Sequence, residues 1–144
     1  MLLVIMGESC TGKSTLAEAV VKGIGGEIYS GKDYLRLAKS QGEAEELFIR
    51  KMEQAVNGSN LIFLVPEKEQ LRLIPDGAVR ILVTAQLDTI KERFTTRMHG
   101  MLPLPVAVML EKKHGCFDKE TADIRFESET LDTQEAVDEI REFA

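Results

Sequence analysis

The sequence predicts an α/β fold in which a parallel sheet is covered by helices on both faces. Short, largely apolar runs recur at 2–6, 61–65 and 79–84, as expected of strands buried on both sides. Segments with apolar residues at helical spacing alternate with these runs along the chain, which is the pattern of β–α–β crossovers. At 144 residues the chain is long enough to bury a sizeable core as one domain.

Each element follows from its residues. The first strand, 2–6, is continuously apolar. From Ser14 a helix is predicted, with Leu16, Ala17, Val20, Val21 and Ile24 on one face, stopped by Gly25-Gly26. Residues 27–30 form a short second strand. Residues 33–39 and, more clearly, 43–56 are helical, the latter ended by Asn57-Gly58. Pro66 halts the third strand at 61–65, and "VRILVT" at 79–84 is the fourth. The helix predicted over 88–98 carries Leu87, Ile90 and Phe94 on one side. Pro103 to Pro105 break the chain, and a helix resumes to about His114. Residues 122–127 make a last strand. Asp132, with Glu135 three residues on, caps a final helix whose apolar face is Ala136, Val137, Ile140 and Phe143.

The formal net charge of −6 argues against nonspecific nucleic-acid binding, which calls for a basic stripe. Two cysteines, Cys10 and Cys116, fit a reducing compartment better than a disulfide framework. No apolar run has the length of a membrane span, and the N-terminus lacks the basic flank and cleavage site of a leader. The chain is therefore expected in the cytoplasm. Its oligomeric state stays open.

"GESCTGKST", Gly7 to Thr15, stands between the first strand and the first helix. The spacing of Gly7 from Gly12-Lys13-Ser14 is that of a P-loop, the Walker A pattern. Glycine lets the backbone curl, the tight loop exposes successive N–H groups, and the following helix adds its positive end, which makes Gly7, Glu8, Ser9, Cys10, Thr11, Gly12, Lys13, Ser14 and Thr15 the candidate phosphate-binding residues. Lys13 reaches the β- and γ-phosphates, Ser14 ligates Mg²⁺, and the Thr15 hydroxyl meets a phosphate. Lys13 is expected at the surface of the empty loop.

In open parallel sheets the ligand lies at the carboxyl ends of the strands, so 30–36, 66–69 and the residues from Ala85 onward join the loop as candidates. A GTPase switch should carry Asn-Lys-x-Asp after a later strand, and none occurs. A motor ATPase should end an apolar strand in aspartate, whereas "LIFLV" ends in Pro66-Glu67. Arg93 and Arg97, four apart, share a helix face and can meet charge developing during phosphoryl transfer. His99 and His114 lack partners at metal-ligand spacing and read as surface or structural histidines.

With "GESCTGKST", "YSGKDYLR", "VRILVTAQLDTIKERFTTR" and "TADIRFESETLDTQEAVDEIREF" in order, the chain resembles the P-loop nucleoside/nucleotide kinase superfamily, which includes nucleoside monophosphate, shikimate and gluconate kinases. The resemblance implies a three-layer P-loop NTPase fold with a five-stranded parallel sheet in the order 2-3-1-4-5. It implies a single domain over 1–144 with a short lid around 93–105 whose arginines, Arg93 and Arg97, contact ATP. It also implies an ATP- and Mg²⁺-dependent phosphotransferase acting on a small metabolite or nucleotide; a catalytically weak nucleotide-binding regulatory protein is the alternative. Asp33, just past the second strand, is expected to accept a proton from the acceptor or orient it. Glu67, in place of the usual strand-end acid, is expected to hold metal-bound water. Which of the two is the main acidic group is left open.

Overall fold

Strands β1 (Leu2–Met6), β2 (Glu27–Ser30), β3 (Leu61–Val65), β4 (Val79–Thr84) and β5 (Ile124–Glu127) form one parallel sheet in the order β2-β3-β1-β4-β5 in the computed structural model, which describes residues 1–144. Leu2 pairs with Leu61, and Leu3 with Val79, so the most apolar strand lies at the centre of the sheet. Every residue of β1 and β3 is buried. This is what continuous apolar runs require: helices cover both faces, leaving no wet side for polar residues to alternate onto.

The two faces divide the alternate residues of β1. Leu3 and Ile5 pack with Leu16, Ala17 and Val20 of helix α1 (Lys13–Ile24) and with Ala136, Val137 and Ile140 of the last helix, α5. Leu2, Val4 and Met6 pack with Phe48 and Met52 of α2 (Gln41–Val56) on the other face. Here Phe48 sits among three aromatic rings: Tyr29 at 5.0 Å, Tyr34 stacked at 5.2 Å and Phe63 edge-on at 4.9 Å. A hairpin of α3 (Leu87–Arg97) and α4 (Leu104–Lys113) stands beside the carboxyl end of the sheet, and α5 spans Thr133–Arg141. The hairpin has its own small core, in which Ile90 and Leu110 close on Cys10 and Ala85.

Several boundaries differ from the sequence-based ones. Residues Asp33–Leu37 form a 3₁₀ turn rather than an α-helix to Lys39, drawing Tyr34 into the aromatic cluster. Helix α2 starts at Gln41, two residues early, because Ser40 caps it, its Oγ accepting from the Glu43 N–H at 3.3 Å. The crossover from β3 to β4 is a 3₁₀ segment, Lys68–Leu73, and no α-helix covers that part of the sheet. The gap is filled by Phe117 from the segment after α4, which is buried with Leu73, Met6 and Leu82. β5 starts at Ile124 rather than at 122: the carboxylate of Asp123 takes the N–H of Arg80 at 2.8 Å, in place of a backbone carbonyl. Asp132 caps α5 as expected, accepting from Gln134 and Glu135. Phe143, expected on the buried face, lies past the helix end and is 45% exposed.

Truncating Phe48 removes the ring that three others contact. Phe48→Ala should destabilise the fold by about 3–5 kcal/mol, read as a lower urea midpoint with little change in slope.

Candidate functional site

The loop between β1 and α1 is built around two close approaches. A Cβ on Gly7 would lie 2.5 Å from the carbonyl oxygen of Val83 and 2.9 Å from Thr11 Oγ1, so only glycine fits. Cys10 (φ 63°) and Gly12 (φ 94°) both adopt left-handed conformations. Such residues interleaved with right-handed ones turn successive N–H groups towards one concavity, a nest suited to anions. Gly12 tolerates that conformation freely, whereas Cys10 holds it at a cost of about 1–3 kcal/mol, a strain that recurs at ligand sites.

Lys13 does not stand at the surface. It is buried, and its Nζ donates to the carbonyl of Glu8 at 2.6 Å, which also accepts from Thr11 Oγ1 at 2.9 Å. The cause is local: the loop curls so that the Glu8 carbonyl comes within reach of the ammonium, which turns back onto the loop's own backbone. Burial lowers its pKa to about 8, against the opposing pull of Cys10 and Glu8, and the Arg97 guanidinium pushes it the same way as burial. The site thus holds a poorly solvated cation, which Glu8 attracts more than Arg97 repels.

Arg93 reaches across the loop. Its Nη1 donates to the Cys10 carbonyl at 3.0 Å and to Ser128 Oγ at 2.7 Å. Arg97, one turn on, lines the same open cleft of about 440 Å³ with Gly12, Thr15, Ser128 and Leu131. Ser14 and Thr15 are exposed at the helix start, and Ser9 is exposed on the loop. Phosphate loop, arginines and the turn before α5 therefore meet in one place.

The two carboxylates singled out by sequence lie elsewhere. Asp33 is exposed, and its Oδ2 accepts from the Ser30 N–H at 2.9 Å, closing the turn after β2. Glu67, after β3, is paired with Lys113 of α4 at 3.1 Å. Tyr34 is core, and Arg36 covers the Tyr29 ring at 5.0 Å. No cluster of three or more His, Cys, Asp or Glu side chains is placed to hold a metal.

The structure adds groups that spacing did not reveal. The Glu8 side chain is only 9% exposed, and its carboxylate accepts from the Gly115 N–H at 3.1 Å and meets His114 Nδ1 at 3.1 Å. Ser128 anchors Arg93. Gln70 keeps a buried amide oxygen without a partner just beyond β3. These groups meet across more than a hundred residues or sit in turns, so no periodicity could have marked them.

No protein-family profile and no curated protein sequence matches the chain. Solved structures do match its shape. A gluconokinase from Sinorhizobium meliloti superposes with a TM-score of 0.63 at 14% identity, covering 98% of this chain and 89% of that one. A shikimate kinase from Aquifex aeolicus gives 0.55 at 16% identity, with 98% and 94% covered. A deoxyadenosine kinase from M. mycoides, solved with dATP bound, gives 0.56 at 17% identity, with 99% and 98% covered. The chain has the fold of the P-loop nucleoside/nucleotide kinases, with the strand order expected. No helix is long and apolar enough to cross a membrane.

The buried lysine makes a prediction about pH. Between about 8 and the ordinary lysine value of 10.5, the unfolded chain holds a proton that folded Lys13 has released. Stability must therefore rise with pH across that window. Urea titrations should show the rise, and Lys13→Met should flatten it while stabilising the protein at pH 7 by on the order of 2 kcal/mol.

Proposed function

We propose that the protein is an ATP- and Mg²⁺-dependent phosphotransferase acting on a small metabolite or nucleotide. The observation that carries this reading is the meeting of Cys10, Gly12 and Thr15 of the loop with Arg93 and Arg97 around one cleft. A triphosphate in the nest would give Lys13 a partner and draw its ammonium off the Glu8 carbonyl. Arg93 and Arg97 would meet the charge that spreads over the transferring oxygens, where guanidinium groups act most strongly. Ser14 would hold Mg²⁺, which would supply positive charge against the phosphates. Little covalent chemistry is asked of the chain; its work is positioning.

The turn between α3 and α4 serves as the lid in this reading. His99 (φ 60°) and Gly100 (φ 89°) make a tight left-handed corner, and the hairpin's small core touches the loop through Cys10. Asp33, on the far side of the loop from the arginines in the strand order, orients the acceptor. Glu67 is held by Lys113, which must yield before Glu67 can approach metal-bound water. That pairing is the observation favouring the second reading, a catalytically weak nucleotide-binding regulator.

One experiment tests the phosphate site common to both readings, and a second separates them. Lys13→Ala should lose most affinity for a fluorescent ATP analogue while remaining folded; undiminished binding in a folded variant would falsify the phosphate-site assignment. Transfer from γ-labelled ATP to pooled sugars, sugar acids and nucleosides should label a product, whereas binding without any labelled product or ADP release favours the regulator. Asp33→Asn should then lower turnover strongly with little change in ATP affinity.

ATP phosphates should also return the proton to Lys13. Calorimetric binding near pH 8 in buffers of different ionisation enthalpy should report net proton uptake, lost in Lys13→Met.

A further inference from the structure

We propose that His114, oriented by Glu8, takes the proton of the hydroxyl that attacks the γ-phosphate. The proposal rests on the phosphotransferase reading above. Transfer to a hydroxyl needs a base close to the phosphate loop, with a lone pair free in the resting state. Glu67 lies outside the loop, in an exposed pair with Lys113, and Asp33 spends an oxygen on the turn after β2. Glu8 is the carboxylate that lies inside the loop and is nine-tenths buried.

Its two oxygens are committed to one neighbouring segment, Oε2 to the Gly115 N–H and Oε1 to His114 Nδ1, both at 3.1 Å. The carbonyl of this same residue holds Lys13 Nζ. The imidazole is thus one residue removed from the lysine that is to meet the phosphates. A carboxylate facing Nδ1 selects the tautomer with its proton there and leaves the Nε2 lone pair available, and it stabilises the imidazolium formed later. The ring is 35% exposed and lines an open cleft of about 320 Å³ with Thr84, Ala85 and Gln86, directly beyond the strand against which Gly7 packs. Buried carboxylate, fixed ring and open face form the dyad of a general base.

In the step, the hydroxyl oxygen bonds to the γ-phosphorus. The bond from that phosphorus to the β–γ bridging oxygen breaks, and its electron pair leaves on ADP. The hydroxyl proton passes to His114 Nε2. The charged groups around the ring are Glu8 from the loop, Lys113 before it on α4, and Glu127 and Glu129 across the cleft, the last already accepting from the Gln86 N–H.

Nitrogen-15 NMR of the full-length protein reads the tautomer without any substrate. The neutral ring of His114 should carry its proton on Nδ1, and Glu8→Gln should remove that preference; a neutral ring protonated on Nε2 overturns the proposal. The second arm uses MgATP with water as acceptor, read as ADP release beside binding of a fluorescent ATP analogue. His114→Gln should slow release about 100-fold with affinity within a few-fold, and added imidazole should restore part of the activity of His114→Gly. Unchanged release from His114→Gln overturns the base and leaves the phosphotransferase reading standing. Failure of the wild type to bind the analogue overturns that reading instead. Binding without any release in the wild type overturns the base, since a ring so poised activates water, and leaves the phosphotransferase reading to the assay with acceptors.

Discussion

Everything at the site depends on one close approach, Gly7 against the backbone of β4. A strand buried on both faces and flanked by strands on both edges has no freedom to shift. Where β1 ends, Gly7 donates its N–H to the Val65 carbonyl at 3.2 Å on one side, and on the other its Cα faces the carbonyl of Val83 where a Cβ would stand at 2.5 Å. The chain must therefore leave the sheet at this point and in this direction. The loop inherits its position from the two central pairings of the sheet, and α1 inherits its start from the loop. Core packing and ligand geometry are the same constraint seen from two ends.

That rigid frame holds an unfavourable charge. A lysine removed from water and set near an arginine raises the energy of the resting protein, and one short hydrogen bond to the Glu8 carbonyl offsets only part of it. The left-handed Cys10 adds strain in the same few residues. Both costs are carried by a core that buries every residue of β1 and β3. A site preorganised for anions has this signature: donors fixed in advance, with the stabilisation deferred until charge arrives.

The centre of the sheet was legible because its strands are continuous apolar runs with no competing interpretation, and the tight turn from β1 into α1 because its glycine spacing encodes backbone geometry directly. What stayed hidden needed knowledge of what lies opposite. Tyr34 reads as an exposed site residue until Phe48 is known to face it, and Phe117 stands in a polar stretch that gives no sign of filling the gap left by a crossover without an α-helix. Lys68–Leu73 has too little periodicity to show a 3₁₀ run. Glu8 and His114 were each visible as residue types; their pairing spans most of the chain and follows only from where α4 ends.

The segment after α4 makes the two sides of the loop unequal. On the arginine side a cleft is open. On the other, residues 113–120 strap the carboxyl end of the sheet: Lys113 to Glu67, Glu8 to His114 and Gly115, and Glu120 to Lys68 at 3.3 Å. The two lysine pairs are solvent-exposed and contribute at most about 1 kcal/mol each, less in salt. Burial of Phe117 contributes about 1.5–3 kcal/mol. The strap is thus held by its ring more than by its charges. The Lys113–Glu67 pair can part at small cost, whereas extracting Phe117 would open the core beneath the sheet. Movement of this segment is consequently confined to its two salt-bridged ends, Lys113 and Glu120, with Phe117 as the fixed point between them.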